Sequence, residues 1–269
     1  MIGNRTRIVH GKTDCSISLK IEAITQLEVK LRNDLTIIIP CFNEGRSLPV
    51  LIDNCVKIIA NKQIFIVIVN NGSNDDSASL LKKVRNIYSN LTIVDIEKNV
   101  GYGNGILKGL ETANTKYVGW THADLQTDIF DLELALSELN KNTQDDIYIK
   151  GLRKRKGFFD NCLTLGMTAF ETILFKTTLS DINGQPTILP SKVYKDWTNP
   201  PLDFSLDLFS YVNAKKNKLK IIRIKVNFLP RKFGNSSWNT SVRAKLVLIK
   251  GIITYSLKLK KDINVDNQT

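Results

Sequence analysis

Cysteine is scarce and scattered. Cys15, Cys41, Cys55 and Cys162 stand far apart and form no Cys-x-x-Cys pair, which speaks against a zinc-ribbon site and against a disulfide framework, and makes a reduced, cytoplasmic setting the expectation. The N-terminal stretch lacks an apolar core of signal-peptide length. No apolar run approaches the roughly 20 residues that a membrane-spanning helix requires, so the chain is expected to be soluble or to rest on a membrane surface. Internal repeats and low-complexity tracts are also missing. Acidic residues are outnumbered, with Lys+Arg at 38, Asp+Glu at 26 and a net charge of +12. That balance favours anionic partners such as phosphorylated substrates, acidic lipid or nucleic acid, without choosing among them.

What is present is a regular alternation. Leu35–Pro40, Ile64–Val69, Leu91–Ile96 and Tyr117–Trp120 read as short buried strands, and helices are expected over 46–60, 75–88 and 103–113 between them. Alternating buried strands and helices imply an α/β, doubly wound, mostly parallel sheet with helices on both faces. The second half is less regular. Helices are expected near 131–140, 160–176 and 204–215, strands near 147–150 and 219–228, and a last amphipathic helix over 241–260. Residues 1–33 read as an N-terminal extension, 34–261 as the main domain and 262–269 as a flexible tail.

Ligands in such sheets lie beyond the carboxyl ends of the strands. There the sequence places Pro40-Cys-Phe-Asn-Glu44, Asn70-Asn-Gly-Ser-Asn-Asp75, Asn99-Val-Gly-Tyr-Gly-Asn-Gly105 and His122-Ala-Asp-Leu-Gln126. Each alone could be an ordinary turn. In this order, at successive strand ends, they resemble glycosyltransferase family 2, of GT-A fold. Within it the likeness is to the polyprenyl- and dolichyl-phosphate sugar transferases. Arg231-Lys-Phe-Gly-Asn-Ser-Ser237 is similar to that subgroup's late RxxGxS element, and the likeness runs from about Leu35 to Lys260.

The resemblance implies a nucleotide-sugar donor bound by Pro40, Phe42, Glu44, Ile68, Asn70, Ala123 and Asp124. Phe42 would pack on the base or ribose and Glu44 would accept from ribose hydroxyls. Asn70 would accept from a base imide, where many members place an aspartate. It also implies one divalent metal, Mg2+ or Mn2+, held by Asp124 and Gln126. His122, where an aspartate is usual, would either ligate the ion or simply pack; imidazole suits manganese better than magnesium. Arg153, Arg231 and Ser237 would hold phosphate groups, with planar guanidinium forks matched to phosphate oxygens.

If a sugar hydroxyl is the acceptor, Asp207 or Asp181 would serve as general base; a phosphate acceptor, already ionised, needs only positioning. Gln185-Pro186 departs from the subgroup's usual Gly-Phe. In the last helix Val242, Leu246, Ile249, Ile253 and Leu257 share one face, while Arg243, Lys250 and Lys258 lie on the other, the pattern of an interfacial helix. The expected function is therefore inverting, metal-dependent hexosyl transfer to a polyprenyl phosphate, in cell-envelope glycan biosynthesis, peripherally at the inner membrane face. Transfer to a glycan hydroxyl, an inactive donor-binding regulator and a nucleic-acid-binding protein are the alternatives.

Overall fold

The structure, a computed structural model, describes residues 34–154, 158–233 and 242–266. The chain divides into two compact units, Met1–Arg32 and Asn33–Thr269, and every described residue belongs to the second. The N-terminal extension therefore lies outside the described residues.

In chain order the strands are β1 (Leu35–Cys41), β2 (Ile64–Asn71), β3 (Leu91–Ile96), β4 (Tyr117–Trp120), β5 (Ile147–Lys154), β6 (Thr187–Pro190) and β7 (Lys220–Asn227). The helices are α1 (Leu48–Ile58), α2 (Ser77–Val84), α3 (Tyr102–Leu110), α4 (Asp131–Lys141), α5 (Phe158–Phe175), α6 (Ser191–Lys195), α7 (Leu206–Lys216) and α8 (Val242–Asp266). One sheet runs in the order β3-β2-β1-β4-β6-β5-β7. β1 pairs in parallel with both β2 and β4, so the strand order reverses there. Only β6 runs against its neighbours.

Strand alternation sends Ile37, Ile39, Ile66 and Ile68 to one face, where α1, α2 and α4 bury Leu51, Leu81 and Leu136 against them. Ile38, Val67, Val69 and Val118 go to the other, under Ile106 of α3 and Leu208 and Phe209 of α7. Helix α3 approaches the sheet closely because residue 109 is glycine: a Cβ there would lie 2.3 Å from Ile38 Cγ2.

The first half follows the sequence reading, with ends displaced by a few residues. The second half differs in three respects. β6 and α6 were not anticipated, because four and five residues are too few to display a period. Helix α8 continues to Asp266, through most of what reads as a flexible tail. Its expected apolar face, which Leu248, Ile252, Tyr255 and Leu259 broaden, is only partly buried: Leu259 is buried and Leu257 exposed, while the polar Ser256 is buried. On α5, Glu171 Oε1 is 2.6 Å from Ser256 Oγ. That hydroxyl is also 2.8 Å from Ile252 O. A hydroxyl has one proton and donates to one of the two at a time; burial pushes the Glu171 carboxyl above the usual range against the pull of the Ser256 hydrogen bond.

The far half of the sheet is tied together by one buried carboxylate. Asp207 Oδ1, at the start of α7, accepts from Trp120 Nε1 of β4 at 3.1 Å, Lys150 Nζ of β5 at 2.8 Å and Gln185 Nε2 at 2.9 Å. Thr187 Oγ1 of β6 adds a longer bond of 3.3 Å, and itself accepts from Lys150 at 2.5 Å. Lys150 is wholly buried, and burial pulls its ammonium below the usual lysine range while Asp207 pushes back. Removing one member of such a pair strands the other charge. Asp207→Asn should therefore cost about 3–5 kcal/mol of stability, roughly 2–4 °C of melting temperature per kcal/mol in a domain of this size. Lys150→Met with Asp207→Leu removes the stranded charge and should recover part of it, the remainder being lost with the acceptor of Trp120, Gln185 and Thr187. A melting curve of Asp207→Asn that overlays the wild type would remove the pair as a structural element.

Candidate active site

The loops after β1 and β2 are stitched into one unit. Asn43, at φ 55°, donates its N–H to Ser73 Oγ at 3.1 Å and accepts from Asn74 N–H at 2.9 Å through Oδ1. Glu44 N–H reaches Ser77 Oγ at 3.0 Å, and Gly45 N–H reaches Asp75 Oδ2 at 3.0 Å. Burial works against the charge on Asp75, yet bonds from Ser77 and Gly45 outweigh it and hold the carboxyl below its ordinary range. Asn43 thus binds Ser73 and Asn74, and Asp75 binds Gly45 and Ser77, which fixes the loop that carries Phe42 and Glu44. Phe42 is 42% exposed just beyond the end of β1.

Glu44 and Asp124 are brought together by an arginine. Glu44 Oε2 accepts from Ser47 Oγ at 2.9 Å, and Oε1 accepts from Arg231 Nη2. The same guanidinium has its Nε 4.0 Å from Asp124 Oδ2. Burial lowers the Arg231 pKa. The segment that carries Arg231 is held to the loop after β4 by a reciprocal pair: Leu229 N–H donates to Gln126 O at 2.8 Å, and Gln126 Nε2 to Leu229 O at 3.1 Å. Gln126, expected as a neutral metal ligand, has its side-chain amide in that pairing. Its backbone N–H meets Asp124 Oδ1 at 3.1 Å.

His122 packs toward Tyr102, with ring centroids 5.7 Å apart, and Tyr102 stacks on Phe204 at 4.7 Å and 13°. Burial lowers the His122 pKa against the opposing pull of Asp124 and Asp207, which favours the neutral imidazole. The Tyr102 contact depends on the glycine-rich loop: at Gly101, φ 146°, a Cβ would lie 2.2 Å from Leu202 O. Asn71 secures that loop by donating to Gly101 O at 3.0 Å.

Several expected site residues are differently employed. Asn70 is buried and engaged at both ends of its amide: Oδ1 takes Ser73 N–H at 3.2 Å and Nδ2 donates to Asp95 Oδ1 at 3.0 Å. Asp207 is sealed beneath the site and Asp181 is paired with Arg153, so neither is free to act as a general base. Arg153 donates through Nε to Asp181 Oδ1 at 2.8 Å, through Nη2 to the same oxygen, and through its N–H to Oδ2 at 2.7 Å. Its guanidinium also lies 5.1 Å from the Phe228 ring centre. Ile68 and Ala123 are buried, with Pro40 half-buried at the end of β1, which leaves backbone rather than side-chain contact to the first two. Ser237 lies outside the described residues.

Sequence reasoning missed Lys150, Gln185, Tyr102, Phe204 and Asp95. A lysine in the apolar run Ile147-Tyr-Ile-Lys150 was the one available signal; the others look ordinary until the chain is folded. Among the described residues there is no group of three or more His, Cys, Asp or Glu side chains that could hold a metal ion. The donor set that does converge is the carboxylate of Asp124 near a neutral imidazole. It fits a hard cation whose remaining ligands come from phosphate oxygens and water.

The sequence matches the Glycosyl transferase family 2 description over residues 36–190, more than half of the chain. It is 32% identical over 97 residues to the undecaprenyl-phosphate 4-deoxy-4-formamido-L-arabinose transferase of Proteus mirabilis, covering 35% of this chain and 30% of that protein. To the dolichyl-phosphate beta-glucosyltransferase of Dictyostelium discoideum it is 24% identical over 166 residues, covering 55% and 51%. The chain thus spans between about a third and half of these curated relatives. The fold is shared with glucosyl-3-phosphoglycerate synthase of Mycobacterium tuberculosis, solved with Mn2+, UDP and phosphoglyceric acid, at TM-score 0.66 and 14% identity over 88% of this chain and 82% of that one. A mannosyltransferase of Pyrobaculum calidifontis, in complex with GDP-Man and Mn2+, gives TM-score 0.57 and 16% identity over 81% and 69%. The seven-stranded GT-A sheet and the ordered strand-end motifs agree with the sequence match: the chain belongs to glycosyl transferase family 2.

Proposed function

We propose that the protein transfers a sugar from a nucleotide-sugar donor to a polyprenyl phosphate, with inversion and with one divalent metal ion. The observation that carries this reading is the convergence of Glu44, Asp124 and Arg231 at the carboxyl ends of β1 and β4. Phe42 and Glu44 would receive the nucleoside, and Asp124 would hold the metal, with His122 as a neutral neighbour able to join it. The ion, when bound, offsets the charge that grows on the departing diphosphate. Arg231 lies between the two carboxylates, and donor phosphates would offer its fork a better-matched anionic partner.

The employment of both candidate bases bears on the acceptor. A sugar hydroxyl must lose a proton as it attacks, but Asp207 and Asp181 are each engaged by cations. A phosphate acceptor carries its own negative charge and needs none. This supports the lipid phosphate over a glycan hydroxyl, as do the names of the Proteus and Dictyostelium relatives.

A lipid acceptor calls for a membrane surface. Among the described residues no helix is long and apolar enough to cross a membrane. Helices α5 and α8 do expose Ile173, Val247 and Leu257, at 77%, 65% and 53%, and Lys250 and Lys258 of α8 are exposed as well. That combination suits attachment to an anionic surface.

Three measurements test these statements. Asp124→Asn, or chelation of the metal by EDTA, should lower turnover by orders of magnitude; full activity in both would remove the metal mechanism. Arg231→Lys keeps the charge and loses the fork, so kcat should fall about tenfold or more with an unchanged melting temperature; wild-type kinetics would count against a two-pronged phosphate contact. Replacing Lys250 and Lys258 with glutamate should weaken co-sedimentation with anionic vesicles at low salt while the fold stays intact. Wild type and variant remaining equally in the supernatant would eliminate the membrane reading.

A further inference from the structure

We propose that Asp95, rather than Asn70, reads the nucleobase, and that it selects a base carrying a ring N–H, the class of uracil and guanine. The inference rests on the nucleotide-sugar reading above. Asn70 is 6% exposed, and its amide orientation follows from its partners. Ser73 N–H can only donate, so it faces the amide oxygen; the Asp95 carboxylate can only accept, so it faces the amide nitrogen. Each end of the amide keeps one further hydrogen-bonding position, but Asn70 is buried while Asp95 is exposed, so the carboxylate is the group presented to a base edge and Asn70 orients it.

Asp95 lies directly beside Asn70 in the parallel register of β2 and β3, at the carboxyl end of the sheet. Its second oxygen is held by Arg85 Nη2, and Arg85 Nη1 donates to Ile93 O at 3.2 Å. The guanidinium thus contacts Asp95 at Oδ2 and the backbone at Ile93, two residues earlier on the strand. The Asp95 side chain keeps 51% of its exposure. Asn70 also links it to the rest of the site: Ser73 binds Asn70 through its N–H and Asn43 through its hydroxyl, and Asn43 sits between Phe42 and Glu44. A base stacked on the exposed Phe42 ring can turn its polar edge toward a carboxylate that two neighbours hold in place.

A carboxylate accepts and cannot donate. Opposite it, N3–H of uracil or N1–H of guanine forms a charge-assisted bond. N3 of cytosine and N1 of adenine present a lone pair to a negative charge. A site built to pair a donor rejects analogues that lack it.

The test is calorimetric binding of UDP, GDP, CDP and ADP, in Mn2+, to the wild type and to Asp95→Asn, together with 3-methyl-UDP and 1-methyl-GDP on the wild type. The wild type should bind UDP or GDP at least about tenfold tighter than CDP and ADP, and ring N-methylation should abolish that margin. In Asp95→Asn the preferred diphosphate should weaken about tenfold while CDP changes little. The methylated nucleotides need no variant, so they decide the matter even if Asp95→Asn unfolds. A methylated diphosphate that binds as well as its parent, or an equal loss of all four diphosphates in the variant, overturns the assignment to Asp95. Tight diphosphate binding without base preference would remove only this inference. A wild type that binds none of the four would remove the nucleotide-sugar reading with it.

Discussion

One carboxylate oxygen, Asp207 Oδ1, holds the second half of this molecule together. It takes hydrogen bonds from β4, β5, β6 and the turn before β6. Here the sheet changes from parallel to antiparallel and back, and side-chain burial alone would not specify how β6 inserts between β4 and β5. Hydrogen bonds are directional and an unpaired buried charge is costly. The pairing of Lys150 with Asp207 therefore favours one arrangement of these strands over others of similar hydrophobic burial. Tyr102 contacts the same network through Gln185 at 3.4 Å, so the aromatic wall beside His122 inherits its position from the core.

The front of the site is built differently. Its loops are short, polar and near the surface, and they are held by backbone N–H groups bonded to side chains of the neighbouring loop. Asn43, Ser73, Ser77 and Asp75 each satisfy a partner across the β1 and β2 ends. This rigidifies Phe42 and Glu44 before any ligand arrives, which lowers the ordering cost of binding. Arg231 adds a cation between Glu44 and Asp124. Two carboxylates in a partly buried cleft repel each other, and the guanidinium relieves that repulsion.

The α/β class, the parallel first half, the strand ends that carry the site and the family were all legible in the sequence. Each rests on local signals: β-branched apolar runs, their spacing, and polar motifs placed where strands stop. Glu44, Asp124 and Arg231 were picked out as members of motifs, and the fold brings them within contact of one another. Roles were less legible than positions. Asn70 was expected to face a base and instead faces Asp95; Asp181 and Asp207 were expected to remove a proton and instead neutralise Arg153 and Lys150; Gln126 was expected to offer an oxygen, and its amide nitrogen is tied to Leu229.

By itself, then, the sequence determined the layer order, the ends at which chemistry occurs and the residue types available there, because hydrophobic period and turn chemistry act over a few neighbouring positions. Only the tertiary structure decided which polar groups remain free for a ligand. A side chain's partner is a matter of distance in space: Asn70 and Asp95 are 25 positions apart, Lys150 and Asp207 are 57, and Glu44 and Arg231 are 187. No local pattern records such pairings, and a hydrogen-bonding group already satisfied within the protein has little left to offer a substrate.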